Sequence, residues 1–109
     1  TEIQAGTQFN KSGSFTGLAD DAAFNFSAGN RSWVFISSNS DKYGIFHCNY
    51  NTIVTVHNTG ITVDTSAGTL TGTTGGGGVT IRANAGTFYV ENRSGGEIHF
   101  GICVIAGSP

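Results

Sequence analysis

The stretch VTIRANAGTFYVENRSGGEIHFGICVIAG, residues 79–107, decides the fold. It reads as three extended segments, Val79–Ala83, Thr87–Glu91 and Glu97–Ala106, split by the turns Asn84–Gly86 and Asn92–Gly96. Side chains of a strand alternate between two faces. In the last segment Ile98, Phe100, Ile102 and Val104 share one face, and His99, Gly101, Cys103 and Ile105 the other. Both faces are fairly apolar. Such a strand is expected between two layers, or between one layer and a neighbouring subunit. The glycine run Gly75–Gly78 leads into this stretch. A phosphate-binding glycine loop would continue into Lys and Ser/Thr and open a helix. Here the chain continues into Val79-Thr80-Ile81-Arg82, which alternates like a strand, so the run reads as slack between strands.

The same pattern extends towards the N-terminus. Strands are predicted at Glu2–Phe9, Ala23–Ala28, Ser32–Ser38, Gly44–Cys48, Thr52–His57, Ile61–Thr65 and Thr69–Thr74, with a looser stretch from Asn10 to Ala22. Asn- and Gly-rich turns join them, and both residues tolerate the left-handed backbone of tight hairpins. No segment has helical periodicity. The expected architecture is all-β, an antiparallel β-sandwich. Residues 1–22 form an N-terminal strand and connecting loop, and residues 23–109 the sandwich of a single domain. If every strand reverses its predecessor, alternate turns collect at opposite ends. One end then holds the loop before Ala23, Asn39–Tyr43, Asn58–Gly60, the glycine run and Asn92–Gly96.

Composition narrows the function. The chain has 109 residues and a net charge of −2, with scattered Lys and Arg, so no basic nucleic-acid footprint is present. Charged residues make up 11%, against about 25% in an average domain. The surface is therefore Ser, Thr, Asn and Gly, or is covered by partner chains. No apolar run reaches the ~20 residues of a membrane-spanning helix. Methionine is absent, as expected of a chain whose start residue was removed or of a piece of a longer protein.

No catalytic constellation is visible. There is no G-x-S-x-G elbow, and Asp20-Asp21 is not followed by a calcium loop. His47 and Cys48 are strand neighbours and point to opposite faces, which keeps them from sharing a metal. Cys48 and Cys103 read as two buried thiols, with a disulfide as the alternative in an oxidising compartment. Glycosylation sequons occur at Asn10, Asn25, Asn30 and Asn92. The expectation is a non-enzymatic chain without cofactor or metal.

The order of "RSWVFISS", "YGIFHCN", "TIVTVHNTGITV", "VTIRANAGTFYVENRSGG" and "EIHFGICVIAG" resembles the small all-β domains at the C-terminal ends of bacteriophage tail fibres and related virion fibres. The matching pieces are Gly44–Cys48, Asn92–Gly95 and Ile98–Ala106, and the likeness covers residues 23–107. It implies a jelly-roll-like knob, homotrimeric, on the virion surface, attaching to a host-surface glycan or protein and contacting other virion proteins. The structural alternative is a capsid-decoration or trimerisation knob. The cellular alternative is a secreted carbohydrate-binding lectin module. Asn39, Asp41, Lys42, Tyr43, Asn92 and Arg93 are the expected ligand contacts, because they lie in the polar turns gathered at one end.

Overall fold

The computed structural model describes residues 10–105, with side chains from Gly17 onward. Among the described residues nine strands build two sheets. They are β1 Asn10–Leu18, β2 Ala22–Ser27, β3 Ser32–Ser38, β4 Tyr43–Asn49, β5 Thr52–Thr59, β6 Ile61–Asp64, β7 Gly78–Asn84, β8 Thr87–Arg93 and β9 Ile98–Ile105. One sheet runs β1-β9-β3-β4-β5 and the other β2-β8-β7-β6. The chain is a β-sandwich, as expected. Its winding is nested: β1 pairs with β9 in one sheet while β2 pairs with β8 in the other. That nesting is jelly-roll-like.

Alternation builds the core. In β3, Val34 and Ile36 are buried and Trp33 and Phe35 are not; in β4, Phe46 and Cys48 are buried. The facing sheet contributes Val79, Ile81, Phe88 and Val90. Phe24 of β2 meets Phe100 of β9 across the sandwich, ring centroids 6.1 Å apart. Gly44 leaves room for the Phe46 ring, since a Cβ there would stand 2.5 Å from that ring's tip. Burying a Phe side chain stabilises by about 2–3 kcal/mol, so each of these rings outweighs any single surface contact.

Three expectations are corrected. Asn10–Leu18 is a strand rather than a loose stretch, and it closes the edge of the five-stranded sheet against β9. Its Ser and Gly residues have little strand propensity, so the register with a partner far away in sequence decides its structure. The expected strand Glu2–Phe9 lies outside the described residues. Thr69–Thr74 is not a strand. Finally, β6 and β7 are parallel, Ile61 pairing with Val79 and Asp64 with Arg82. Neighbouring parallel strands need a crossover of roughly a dozen residues or more, and residues 65–77 supply it.

The crossover lies on the outer face of the four-stranded sheet. Leu70 in its middle is buried, apart from the main core cluster. Arg82, itself buried, donates from Nη1 to Thr69 O (3.0 Å) and from Nη2 to Asp64 (2.7 Å). The turns sort by strand direction. Ala19–Asp21, Asn39–Lys42, Gly60, Gly75–Gly77 and Ser94–Glu97 fall at one end, called here the loop pole. The parity expectation holds, because the crossover runs in the direction the expected strand would have taken. At the other end Ala85 (φ 51°) and Gly86 (φ 83°) make a two-residue hairpin turn between β7 and β8.

The Asp64 carboxyl is held below its ordinary pKa by the Ser66 backbone N–H and then by Arg82. A depressed pKa contributes stability above the ordinary aspartate value and loses it as pH falls through the folded-state value. Asp64→Asn is expected to lower stability at neutral pH and to flatten the loss below about pH 4. Urea denaturation across that range checks it.

Candidate functional site

The loop pole is assembled around two buried polar side chains of β8. Glu91 is fully buried on the crossover side of its sheet. Its carboxylate accepts N–H groups from Gly72 (2.8 Å), Thr74 (2.9 Å) and Gly75 (2.8 Å). These are the N–H groups of a loop that could have cradled a phosphate; they are spent on the chain's own anion. Gly75 is required there, because a Cβ would stand 2.6 Å from Glu91 Oε1. The backbone at Thr69–Thr74 therefore bonds to a side chain where a strand would bond to a neighbour.

Asn92, next in sequence and pointing the other way, is also fully buried. It donates from Nδ2 to Leu18 O (2.8 Å) and Gly96 O (2.7 Å), and its Oδ1 accepts the Ser94 N–H (3.0 Å). It thereby ties the end of β1 to the β8–β9 turn. Arg93 completes the brace, donating from Nε to Asp21 (3.0 Å) and from Nη1 to Gly75 O (2.7 Å). The Gly95 N–H reaches Asp20 (2.8 Å).

The β3–β4 loop joins the same pole. Asn39 exchanges hydrogen bonds with the His99 backbone, N–H to O at 3.1 Å and O to N–H at 3.0 Å. Asp41 is highly exposed and pairs with Lys42 at 3.3 Å. The hydrogen bond and charge of Lys42, with help from Ser40, lower the Asp41 pKa. Lys42 packs on Gly60, whose hypothetical Cβ would lie 2.9 Å from the lysine stem.

Of the six expected contact residues, the structure brings Asn39, Asp41, Lys42 and Arg93 to one pole. Two are placed differently. Asn92 is inside the pole with both ends of its amide in use, so neither ligand contact nor glycosylation at its sequon is open to it in the folded chain. Parity in β8 turns it inward, and a polar side chain there must find internal partners. Tyr43 is the first residue of β4, not a loop residue, and its ring stacks on His57 at 5.6 Å on the outer face of the five-stranded sheet. Sequence reasoning missed Glu91 and His57. An acid directly after the run Phe88-Tyr89-Val90 was the available signal for Glu91.

That outer face is the second feature. Trp33 and Phe35 are 41% and 37% exposed on it, and the His47 ring meets Trp33 edge-on at 4.7 Å. An open groove of about 760 Å³ runs between Tyr43, His57, Phe35 and Gly101. Gly101 gives the groove its depth, for a Cβ there would stand 2.8 Å from the Ser37 hydroxyl. The other sheet's outer face is covered by the crossover; among the described residues none covers this one.

Cys48 and Cys103 are free, which answers the disulfide alternative. Cys48 points into the core and Cys103 is partly exposed on the opposite face of the same sheet. Burial pushes the Cys48 thiol up to about 11. Among the described residues no group of His, Cys, Asp and Glu could hold a metal ion.

Glu91→Gln is expected to destabilise the domain by about 2–4 kcal/mol, since one acceptor oxygen becomes an NH₂ facing backbone N–H donors. Amide exchange at Gly72, Thr74 and Gly75 should accelerate in the variant, read by NMR or mass spectrometry. A maleimide added to dilute folded protein is expected to label one thiol, Cys103, with Cys48 reacting only after denaturation.

Comparison with protein-family models, curated proteins and solved structures returns no match to this chain, so a functional reading rests on the pole, the uncovered face and the sequence resemblance.

Proposed function

We propose that this chain is a non-enzymatic attachment domain of a virion fibre, acting as a homotrimer and presenting its loop pole to a host-surface glycan. The observation that carries the reading is the bracing of the pole. Loops from five different connections meet there, and Glu91, Asn92, Arg93 and Asn39 hold their backbones from behind. Binding loops held on a rigid scaffold lose little conformational entropy on contact. What they leave outward is small and polar: Ser40, Asp41, Thr73, Thr74 and Ser94 are exposed. Hydroxyl, carboxylate and backbone groups of this kind suit the hydroxyls of a sugar. The Asn39–Lys42 loop and the ground beside Arg93 are the contact region.

A second reading has its own support. The uncovered apolar face suits a knob whose partner is its own virion, with no receptor at all. The two readings separate by experiment. The triple change Ser40→Ala, Asp41→Ala and Lys42→Ala leaves the bracing residues intact. Under the attachment reading it lowers glycan-array signal and adsorption of virions to the host by about tenfold or more, with assembly unaffected, equivalent to roughly 1.4 kcal/mol of binding. Unchanged adsorption favours the structural knob.

A further inference from the structure

We infer that the crossover, residues 65–77, opens transiently as one unit from the four-stranded sheet while both sheets stay paired, with Glu91 as its latch. Within it only Leu70 and Gly72 are buried. Leu70 lies outside the main core cluster, so its burial is local to the crossover. Among the described residues the crossover makes no backbone–backbone hydrogen bond. Every hydrogen bond between it and the sheet runs through a side chain of the sheet. Glu91 accepts three N–H groups, and Asp64 accepts the Ser66 N–H at 2.8 Å. Arg82 donates to Thr69 O, and Arg93 donates to Gly75 O at 2.7 Å and Thr73 O at 3.4 Å. The strands beneath are laddered without it, β7 to β6 on one side and to β8 on the other. Releasing the crossover therefore breaks no ladder bond and empties no part of the main core. Segments with little buried apolar surface open at lower free energy than the domain as a whole.

The segment has a place to bend at each end. Thr65, Ser66 and Ala67 are exposed at the start, and Gly76 and Gly77 at the finish. A Cβ at Gly76 or Gly78 would meet nothing within 4 Å, so the chain there has open space beside it. Gly78 itself sits at φ 88°, a conformation in which it can turn without side-chain strain.

Glu91 makes the opening cooperative. One carboxylate holds Gly72, Thr74 and Gly75 together. A half-open state that frees one or two of these N–H groups leaves a buried charge short of donors, which is costly. The fully open state hands the carboxylate to water. Closed and fully open are thus the two favoured arrangements. Opening lays bare Thr80, Arg82 and Glu91, all buried under the closed crossover. Arg82 keeps Asp64, which belongs to β6, and Arg93 keeps Asp21 but loses the two crossover carbonyls. Thr73 and Thr74 stand at the loop pole, so opening also rearranges the ground beside Arg93. The opening stands without the attachment reading; only its effect on a ligand at the pole rests on that reading.

The test is native-state amide exchange of the unaltered chain in increasing urea. The Gly72, Thr74 and Gly75 N–H groups are expected to share one opening constant, about a hundredfold or more above that of the β3 and β4 ladder amides, with little dependence on urea. Leu70→Ala is expected to raise that shared constant by about tenfold or more and to leave the β3 and β4 amides unchanged. If that variant does not fold, the unaltered chain carries the test alone. Exchange of the three amides only together with the slowest ladder amides overturns the inference, because the crossover then leaves only when the domain unfolds. Three unrelated opening constants also overturn it, since no unit moves. So does a Leu70→Ala effect of equal size in β3 and β4. No glycan enters this measurement, so failure of either reading leaves the other standing.

Discussion

The buried carboxylate of Glu91 is what allows the rest of the sandwich to close. Parallel pairing of β6 with β7 forces residues 65–77 to travel the length of the sheet without a strand partner. Backbone N–H groups laid on a protein surface and shut off from water each cost free energy unless bonded. Glu91 takes three of them, and Arg82 and Arg93 take the carbonyls of Thr69 and Gly75. A buried carboxylate alone would be costly; one receiving three N–H bonds is compensated where it sits.

That solution has consequences at both ends of the domain's chemistry. It consumes the donor-rich glycine loop, so the segment that looked most like a ligand cradle is a structural latch. It also leaves the sandwich two-sided in character, with one outer face roofed by residues 65–77 and the other covered by none of the described residues. The bracing runs to the loop pole through the adjacent residues Asn92 and Arg93, one inward and one outward. A single stretch of β8, Glu91-Asn92-Arg93, therefore holds the crossover, the end of β1 and the β8–β9 turn.

The sequence made much of this legible where physics is local. Alternation in EIHFGICVIAG marked a strand and its faces correctly, because burial on one side of a pleated ribbon leaves a period-2 trace. Turn positions were legible for the same reason: Asn and Gly accept a backbone that other residues resist. Where the deciding partner is distant, the reading failed. Asn10–Leu18 has too many small polar residues to declare itself, and only pairing with β9 makes it a strand. Thr69–Thr74 has a strand's composition, but Glu91 sits where its partner strand would be.

Composition and periodicity by themselves determined an all-β sandwich, eight of its nine described strands, and the collection of polar turns at one end. Only the tertiary structure decided which strands are neighbours, that β6 and β7 run parallel, that Asn92 faces inward, and that Tyr43 belongs to a sheet face. The reason is the range of the interactions. Backbone preference and side-chain alternation act between residues a few positions apart and are written into the order of the chain. A carboxylate reaching back sixteen to nineteen residues, or an amide reaching seventy-four, is set by where the sheets finally meet.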